Sequence, residues 1–448
     1  MNVPPCALPV LTRFRPAFSA PTYHRFIVLV LAAVLTTGRR TVTNLLRTVR
    51  DQAPGHASSY HRVFSQRRWS AWTLARALIA FLLDHVVPPG PVLLAGDDTV
   101  TEHPGPKVFG KGRHRDGVRS THSYTAYRWG HKWVVVSVLV KLPFATRPWA
   151  LPVLAALYRP PEWDRVHRTR HKTPAPIARL LLARLIRWFP ARHFIFVGDS
   201  GYGTSETARF CRTHRRHLTL VSKFDRDAAL YEPPPPRTRG TMGRPRVKGQ
   251  KLASPQAVVA QTTMGARLPV AWYGGTTRAI ECVTGTGHWY RIGEALVAVR
   301  WVYVHDVTGT HRDEYLFSTD LRMSPQQIVE CYTQRWSIET TFQECREYLK
   351  LESTKCYSQQ TVLRFAPCLF GLYTIIILLY LQLPDSLHFP AVLSWHGKST
   401  VTFSDMMMCV RRALWQQWFF QTPMTTKPFS KLPRSLQETI LYALAPAA

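Results

Sequence analysis

Two short apolar runs that each end in acidic residues constrain the fold of this chain most. Residues 92–95 (VLLA) lead into Gly-Asp-Asp-Thr, with the acids at Asp97 and Asp98, and residues 193–197 (HFIFV) lead into Gly-Asp, with the acid at Asp199. An apolar run of this length bounded by turn residues is typical of a buried β-strand. The sequence therefore predicts two buried strands that deliver carboxylates at their carboxyl ends.

The segments around these runs predict the rest of a mixed α/β sheet. Between and after the two strands we expect a hairpin over 123–129 and 132–141 with its turn at Gly130-His131, a helix over 173–189, a helix from Ser205 and a strand over 218–222. The resulting order is strand, hairpin, helix, strand, helix, strand. This is the order of an RNase H-like sheet, with the acids at the ends of its first and fourth strands.

The charge balance favours a polyanionic partner. The chain has 58 Lys and Arg against 27 Asp and Glu, a net charge of +31. A surplus of this size favours nucleic acid, because cationic side chains bind phosphates and release their counterions. A ribosome-associated protein or the arginine bias of a GC-rich genome would explain the same surplus.

Neither the cysteines nor the apolar runs indicate a secreted or membrane protein. The eight cysteines are scattered, without a C-x-x-C pair or a histidine at zinc-finger spacing, so we expect no structural zinc and a reducing cytosol. Residues 26–35 form an apolar run too short to span a bilayer. Residues 365–381 reach the lower edge of spanning length but contain Pro367 and Gly371, and we expect a buried core helix there.

A stripe of polar side chains is a further functional signal. Positions 332, 335, 339 and 346 differ by three, four and seven, so on one helix their side chains project from the same face. They are Tyr332, Arg335, Glu339 and Arg346. By itself the segment is equally compatible with a solvated helix face that carries an Arg-Glu pair.

Together with the strand-end acids, the helix glutamate suits metal-assisted chemistry on phosphodiesters. Cleavage by two metal ions needs carboxylates that converge on a pair of Mg²⁺ ions about 3.5–4 Å apart. Two strand-end aspartates and Glu339 supply that kind of donor set. Arginine side chains beside it suit contacts with phosphate oxygens, because a guanidinium group binds phosphate through paired hydrogen bonds.

These motifs resemble the DDE transposases of bacterial insertion sequences, in the group marked by Tyr, two residues, Arg, three residues, Glu, six residues and Lys. Tyr332, Arg335 and Glu339 match that signature, and Arg346 stands where the family has Lys. The replacement keeps the charge and changes the donor geometry. The resemblance implies that Tyr332, Arg335 and Arg346 contact DNA.

The resemblance also implies which acids bind the metal. The family's first Asp precedes a Thr at a strand end, which selects Asp98, and its second ends a later strand, which selects Asp199. Glu339 is the third ligand, and two Mg²⁺ ions, for which Mn²⁺ can substitute, are the implied cofactors. Successive strand residues face opposite sides, so Asp97 is the alternative to Asp98. Glu344 is a rival to Glu339 but lies off the shared helix face.

Further basic and aromatic residues are candidates for DNA contact. Arg244 and Arg246 flank a proline in a segment that resembles a minor-groove hook, although a disordered basic loop fits equally. Trp301, like Trp289, lies in a region where the family stacks a ring on an unpaired base, and core packing is the alternative for either ring. Residues 107–115 form a basic stretch that either contacts phosphates or is simply solvated.

The predicted fold class is α/β: an RNase H-like catalytic core interrupted by a β-rich insertion, with helical N- and C-terminal regions. The regions are a helical DNA-binding region over 1–90, the first part of the core over 91–224, the β-rich insertion over 225–322, the second part of the core with the Glu339 helix over 323–385, and the helical C-terminal region over 386–448. Short helices with basic connections, including His61 and Arg62, favour a helix-turn-helix in the first region, but a plain helical cap fits the same pattern.

The resemblance implies a cut-and-paste DNA transposase that nicks the ends of an insertion sequence and transfers the strands. Its partners would be double-stranded DNA, as transposon ends and as target, and a second copy of the chain, forming a homodimer on paired ends in a bacterial cytoplasm at the nucleoid. No membrane is expected. Two alternatives stay open: an RNase H-like DNA nuclease without integration, and a non-catalytic DNA-binding protein derived from a transposase, against which the intact acids argue.

Overall fold

A computed structural model describes residues 3–117, 119–236, 244–263, 265–389, 397–398, 400–420 and 428–446. Its α-helices are α1 (Leu8–Leu11), α2 (Ala20–Leu35), α3 (Val42–Val49), α4 (Ala57–Ser65), α5 (Ala71–His85), α6 (Pro161–Val166), α7 (Pro174–Trp188), α8 (Ser205–Thr213), α9 (Pro255–Gln261), α10 (Pro325–Gln334), α11 (Ser337–Glu347), α12 (Gln359–Leu381), α13 (Phe403–Leu414) and α14 (Arg434–Leu444). Its strands are β1 (Val92–Glu102), β2 (Gly112–Arg115), β3 (Tyr127–Val140), β4 (Trp149–Tyr158), β5 (Phe194–Val197), β6 (Leu218–Lys223), β7 (Leu230–Tyr231), β8 (Ala266–Ala271), β9 (Thr277–Trp289), β10 (Val297–Asp306) and β11 (Glu314–Ser318).

The central sheet has the predicted RNase H-like order. β1 pairs in parallel with β5, and β5 pairs in parallel with β6. On the other side of β1 lies antiparallel β3, followed by antiparallel β4. Helix α7 packs on β3 and β4, while α11 and α12 pack on β4. Apart from the short β2, the core strands thus lie in the order third, second, first, fourth, fifth, which confirms the predicted α/β fold class.

The predicted hairpin turn at Gly130-His131 is wrong. Both residues lie inside β3, where Gly130 pairs with Glu102 of β1. A side chain at Gly130 would collide with the backbone carbonyl of Thr101, so the glycine permits close strand approach rather than a turn. The third core strand is instead β4, which the sequence analysis did not predict. β4 packs against α12, and the first six residues of the strand are buried.

The strands predicted as an insertion extend the core sheet. β11 pairs antiparallel with β6, β10 pairs with β11, and β9 pairs with β10. β7 and β8 both pair with β9. The β-rich character of this region is therefore confirmed, and the described strands form one continuous sheet. The boundaries of the five regions stay predictions.

The two long apolar segments are core helices. Residues 26–35 belong to α2 and are all buried. Among the described residues α12 is the one helix long and apolar enough to cross a membrane, and 67% of its most apolar 18-residue window is buried against the rest of the chain. α12 also packs against α4 and α5. The N-terminal helices α4 and α5 therefore pack on the core through α12. His61 and Arg62 lie on α4 and not, as predicted, in a connection between helices.

Two buried arginines hold the C-terminal end of α2. Arg40 Nε donates to the carbonyl of Ala33 at 2.9 Å, and Arg411 Nε donates to the carbonyl of Val34 at 2.8 Å. Both guanidinium groups also reach the carbonyl of Thr36. The last carbonyls of a helix lack partners within the helix and carry partial negative charge. Arg411 lies on α13, so this contact joins the C-terminal part of the chain to the N-terminal helices.

Asp306 organises the turn between β10 and β11. It is 2% exposed and forms an ion pair with Arg278 at 2.7 Å. The side chains of Thr308 and Thr310 and the backbone N–H of His311 donate to its carboxylate. Burial by itself would raise the pKa of Asp306, but these hydrogen bonds outweigh burial and hold the pKa well below its usual value. The ionised form is thus strongly favoured in the folded state.

We expect Asp306→Asn to lower the free energy of unfolding by about 2–4 kcal/mol at neutral pH, because the charged acceptor of several donors is lost. Since the folded-state pKa lies below the unfolded value of about 3.9, the stabilisation is present above that value and is lost as the pH falls below it. Denaturant unfolding of the parent chain and of Asp306→Asn should therefore give a constant difference in the free energy of unfolding near neutral pH. This difference should narrow below about pH 4. A difference that stayed constant or widened in acid would contradict this role.

Candidate active site

The two acids of β1 lie within the strand, which continues to Glu102, so the predicted strand end at these acids is wrong. Asp97 and Asp98 point to opposite sides of β1 and form ion pairs with different cationic side chains. Asp97 Oδ2 lies 3.0 Å from Arg335 Nη1, between α10 and α11. Asp98 Oδ1 lies 2.8 Å from Lys132 Nζ on β3. The register partner of Asp98 is Val134, so Lys132, two residues away on β3, lies on the Asp98 face. The pleat of β1 therefore separates the acids into two charge pairs.

Asp199 lies in a tight loop directly after β5. The last parallel pair of β1 and β5 is Ala95 with Val197, so Asp97 and Asp199 each lie two residues beyond that pair. Asp199 Oδ1 accepts a hydrogen bond from the backbone N–H of Gly201 at 2.9 Å. The loop thereby holds the Asp199 carboxylate beside the acids of β1.

Tyr202 brings the three aspartates into one electrostatic site. The side chain is 2% exposed, and its hydroxyl lies 3.5 Å from Asp98 Oδ2. Burial raises the pKa of Tyr202 well above its usual value, and the nearby charges of Asp98, Asp97 and Asp199 raise it further. Tyr202 therefore stays protonated and donates toward Asp98.

The β1 carboxyl groups are shifted toward protonation. Burial raises the pKa of Asp97 to about 7, with Asp199 and Asp98 adding to the shift and Arg335 opposing it. Burial also raises the pKa of Asp98, an effect opposed by Lys132. Crowded, desolvated carboxylates favour either a proton or a nearby cation. The electrostatics of these carboxyl groups therefore favour binding of a cation at the site.

The predicted single helix is divided at Arg335. α10 and α11 are separated by a turn at Arg335 and Trp336, whose amides donate to carbonyls three residues back instead of four. Across this turn Arg335 Nη2 lies 3.1 Å from Glu339 Oε1. Arg335 thus binds Asp97 and Glu339 at the same time, and it links the helix glutamate to an acid of β1.

The remaining members of the predicted stripe lie in different surroundings. Tyr332 is 3% exposed, and the guanidinium carbon of Arg335 lies 5.8 Å from its ring centroid, so Tyr332 presents no free face to DNA in this structure. Arg346 is 35% exposed and donates to Thr99 Oγ1 on β1, and its Nε lies 3.9 Å from Glu352. The predicted DNA contact of Tyr332 therefore does not fit its burial, whereas that of Arg346 stays a prediction.

Glu339 and Glu344 differ as the sequence analysis predicts. The side chain of Glu339 is 45% exposed and faces Arg335. Glu344 is turned away and accepts a hydrogen bond from the Tyr373 hydroxyl on α12 at 2.6 Å. Hydrogen bonds from Ser337 to the Pro148 carbonyl and from α11 to β4 fix the orientation of the helix that carries both residues. Glu339 is therefore the glutamate available to the site.

The chemistry of these residues fits a divalent cation, although the described part of the chain holds no group of three His, Cys, Asp or Glu side chains already placed to bind a metal ion. The donors are carboxylate oxygens, which hard cations such as Mg²⁺ prefer. Asp97, Asp98 and Asp199 are near enough to raise the pKa of Tyr202 together. Glu339 is tied to the same cluster through Arg335.

Other residues predicted to contact DNA have mixed outcomes. Trp301 is 2% exposed and Trp289 is 9% exposed, so core packing describes both rings and the expectation that Trp301 stacks on a DNA base is corrected. Arg244 and Arg246 are exposed. Residues 237–243 of the same basic loop lie outside the described residues, and the proposed minor-groove contact stays a prediction.

Lys132 and Tyr202 are site residues that were not predicted from the sequence. Lys132 precedes the apolar run of β3, and the wrong hairpin turn placed it at the start of a hairpin strand instead of beside Asp98 on β1. Tyr202 follows Asp199 by three residues within a glycine-rich segment. This spacing could have indicated a site residue, because a large ring in a short loop after Asp199 either packs back against the neighbouring strands or remains in solvent.

Fold and site together define the class of enzyme. Two neighbouring parallel strands of an RNase H-like sheet bring aspartates into one site with a helix glutamate, from within β1 and from directly after β5. This arrangement is suited to metal-dependent nucleases. The chain belongs to the DDE superfamily endonuclease family, whose model matches residues 13–279, more than half of the chain. Endonucleases of this superfamily generally use divalent metal ions.

The family match includes Asp97, Asp98 and Asp199 and ends before Glu339. The search of curated proteins finds no similar sequence. Among solved structures, a cryo-EM structure of the piggyBac transposase synaptic complex with hairpin DNA is similar, with 11% identity, a TM-score of 0.39, and coverage of 98% of this chain and 81% of that chain. At this TM-score the likeness carries no weight in the assignment, which rests on the family match and the strand order.

Proposed function

We propose that this endonuclease is a DNA transposase that moves an insertion sequence by cut-and-paste transposition. It would nick DNA at the ends of the element and join the freed ends to target DNA, with Mg²⁺ as cofactor and Mn²⁺ as a substitute. The observation that carries the proposal is the contact of Arg335 with both Asp97 and Glu339, because it joins a helix glutamate to an aspartate on the central strand of an RNase H-like sheet.

Each acidic residue has a place in this mechanism. Asp199, Glu339 and one acid of β1 would hold the divalent cations, which when bound activate the attacking hydroxyl and stabilise the leaving oxygen. Asp98 is the β1 acid that the family resemblance selects, and Asp97 is the one on the Glu339 side in this structure. Lys132 neutralises Asp98, and the Tyr202 hydroxyl donates toward it, so these two side chains position the Asp98 carboxylate.

Arg335 and Arg346 would bind the phosphates beside the scissile bond. A guanidinium group binds carboxylates and phosphates with the same paired geometry, so Arg335 can exchange a carboxylate for a phosphate oxygen. Such an exchange would free Glu339 when DNA enters. Arg346 lies near Thr99 on the same face of β1 as Asp97, which places its charge along the same side of the strand.

The proposed partners are double-stranded DNA, as transposon ends and as target, and a second copy of the chain on paired ends. The net charge of +31 supports a polyanionic partner, since neutralised phosphates release counterions. Exposed Arg244 and Arg246 would follow a groove beside the catalytic core. The setting we propose is the nucleoid of a bacterial cytoplasm.

The proposal is tested by incubating the purified full chain with duplexes that carry the element's terminal sequences, a supercoiled target plasmid and Mg²⁺. We expect strand breaks at the element ends and covalent joining of those ends to the plasmid, both abolished when EDTA replaces Mg²⁺. Sequencing gels and junction sequencing measure the two products. Cleavage without joining would favour the nuclease alternative, and binding without cleavage would favour the non-catalytic alternative.

A further inference from the structure

A two-stranded ribbon beside the active site presents exposed aromatic rings on one face. Residues 112–115 of β2 pair with residues 127–130 of β3, and we call this pairing the β2–β3 ribbon. Its register places Arg113 opposite Trp129 and Arg115 opposite Tyr127. Because side chains alternate along a strand and these positions are two apart, all four project from one face, the outer face of the ribbon.

The outer face combines rings with positive charge. Tyr127 is 50% exposed and Trp129 is 60% exposed. The guanidinium carbon of Arg113 lies 3.8 Å from the Tyr127 ring centroid, and Lys111 Nζ lies 5.8 Å from the Trp129 centroid. Exposed rings interleaved with Lys and Arg are the composition of surfaces on which the bases of single-stranded nucleic acid stack while cations contact its backbone.

The inner face of the ribbon is fixed to the catalytic core. Arg128 Nε lies 2.6 Å from Asp116 and 3.3 Å from Glu102, and its Nη1 lies 3.6 Å from Glu352. Glu352 is also 3.9 Å from Arg346 at the end of α11. The ribbon is therefore held by charge pairs that reach the helix carrying Glu339, and its outer face keeps a defined position relative to the acids.

The distance to the acids suits a short stretch of DNA strand. Gly130 pairs with Glu102, which lies four residues beyond Asp98 on β1. At about 3.3 Å per residue, the edge of the ribbon lies about 13 Å along β1 from that acid. This corresponds to about four nucleotides at about 3.4 Å each. A strand bound at the acids would reach Trp129 within a few nucleotides of the cleavage position.

We propose that the outer face of the β2–β3 ribbon binds unpaired bases of a DNA strand next to the cleavage position. Bases stack on Tyr127 and Trp129, and Lys111, Arg113 and Arg115 contact the adjoining phosphates. This inference rests on the proposed function, since it takes DNA as the substrate. It gives a role to the exposed rings of Tyr127 and Trp129. These rings do not hold the ribbon in place, because the ion pairs on its inner face do so.

The test measures the affinity of the full chain for a fluorescein-labelled oligodeoxythymidine of about 16 nucleotides, the upper end of common single-strand sites, by fluorescence anisotropy. We expect the double variant Tyr127→Ala, Trp129→Ala to bind it at least about thirtyfold more weakly, because loss of one base stack weakens binding about five- to hundredfold and this variant loses two. Tyr127→Phe with Trp129→Phe keeps both rings and should bind within about threefold of the parent chain.

Tyr442→Ala is the matched control, because Tyr442 is 54% exposed, close to the exposure of Tyr127, and lies on α14, outside the regions assigned to DNA binding. It should leave oligodeoxythymidine affinity unchanged. All variants are compared by thermal unfolding, and the two Phe substitutions test the rings even where the Ala variant is less stable.

The outcomes separate this inference from the proposed function. Unchanged oligodeoxythymidine affinity in the double Ala variant, with duplex binding retained, would overturn the ribbon assignment and leave the transposase proposal standing. An equal loss of affinity for duplex and for oligodeoxythymidine in the double Ala variant would also overturn the ribbon assignment. The same holds if this variant lost self-association but kept its affinity for DNA. A parent chain that binds neither duplex nor oligodeoxythymidine would overturn the proposed function together with the ribbon.

Discussion

Replacing Asp199 with Asn is expected to lower the rate of DNA cleavage about a thousandfold or more, because stabilisation by bound metal is worth several kcal/mol and each 1.4 kcal/mol corresponds to about tenfold in rate. Asn keeps the oxygen that accepts from Gly201 N–H, so the loop should retain its shape. Glu339→Gln should have a similar effect. Single-turnover cleavage of end-containing duplexes measures the rate, and calorimetric titration with Mn²⁺ gives a readout that does not depend on turnover.

The matched control is Asp320→Asn. Asp320 is half-buried, as Asp199 is, and it is paired with an arginine, Arg322, at 3.0 Å, as Glu339 is, but it lies just after β11, away from the acids. We expect this variant to cleave at the parent rate. Duplex affinity should stay within about threefold in the Asp199 and Glu339 variants, since phosphate contacts rather than these carboxylates set affinity. Robust Mg²⁺-dependent cleavage by a folded Asp199→Asn protein would remove that residue from the site.

Asp97→Asn is expected to lower the cleavage rate by more than about a hundredfold, and Asp98→Asn by much less, if the metal ligand of β1 is the acid on the Glu339 side. Asp97 shares Arg335 with Glu339, whereas Asp98 is already neutralised by Lys132 on the other side of the strand. The pleat of β1 makes it difficult for both acids to serve equally. Parallel single-turnover assays of the two variants measure the difference.

The family resemblance forecasts the opposite order, since it selects the acid that precedes Thr99. An inactive Asp98→Asn protein beside an active Asp97→Asn protein would therefore support the resemblance and contradict the facing observed here. The thermal midpoints of both variants must be compared, because Asp97→Asn leaves the Arg335 guanidinium with a single carboxylate. Arg335→Lys helps to separate charge from geometry, as it keeps the charge and loses the paired donors.

Sequence patterns predicted the sheet of this protein better than its connections. The runs at 92–95 and 193–197 became buried parallel strands, because a continuous apolar run bounded by glycine and acid has few other stable places. The turn at Gly130 was wrong because glycine serves both turns and close strand approach, and only the carbonyl of Thr101 shows which applies. β4 was missed because its apolar run contains Pro152 and reads as irregular chain.

The predicted helix stripe shows a similar limit. Spacing alone placed Tyr332 on the face shared by Arg335 and Glu339, which assumes a continuous α-helix. The turn at Arg335 and Trp336 breaks that continuity, and Tyr332 turns into the core while Arg335 and Glu339 remain in contact. The predicted contact between Arg335 and Glu339, four residues apart, is present. The tight turn changes the direction of the helix axis but keeps these two side chains close together.

The sequence by itself determined the charge of this protein, the two apolar runs followed by acids and the presence of one helix glutamate at a spacing typical of DDE enzymes, because these are properties of local residue order. Only the tertiary structure decided which acids lie together. The facing of Asp97 and Asp98 depends on the pleat and register of β1, and their partners Arg335 and Lys132 come from elements more than thirty residues away in the chain. The exposure of Tyr127 and Trp129 was likewise decided by packing, since an aromatic residue in a strand has the same sequence signature whether its ring lies in the core or in solvent.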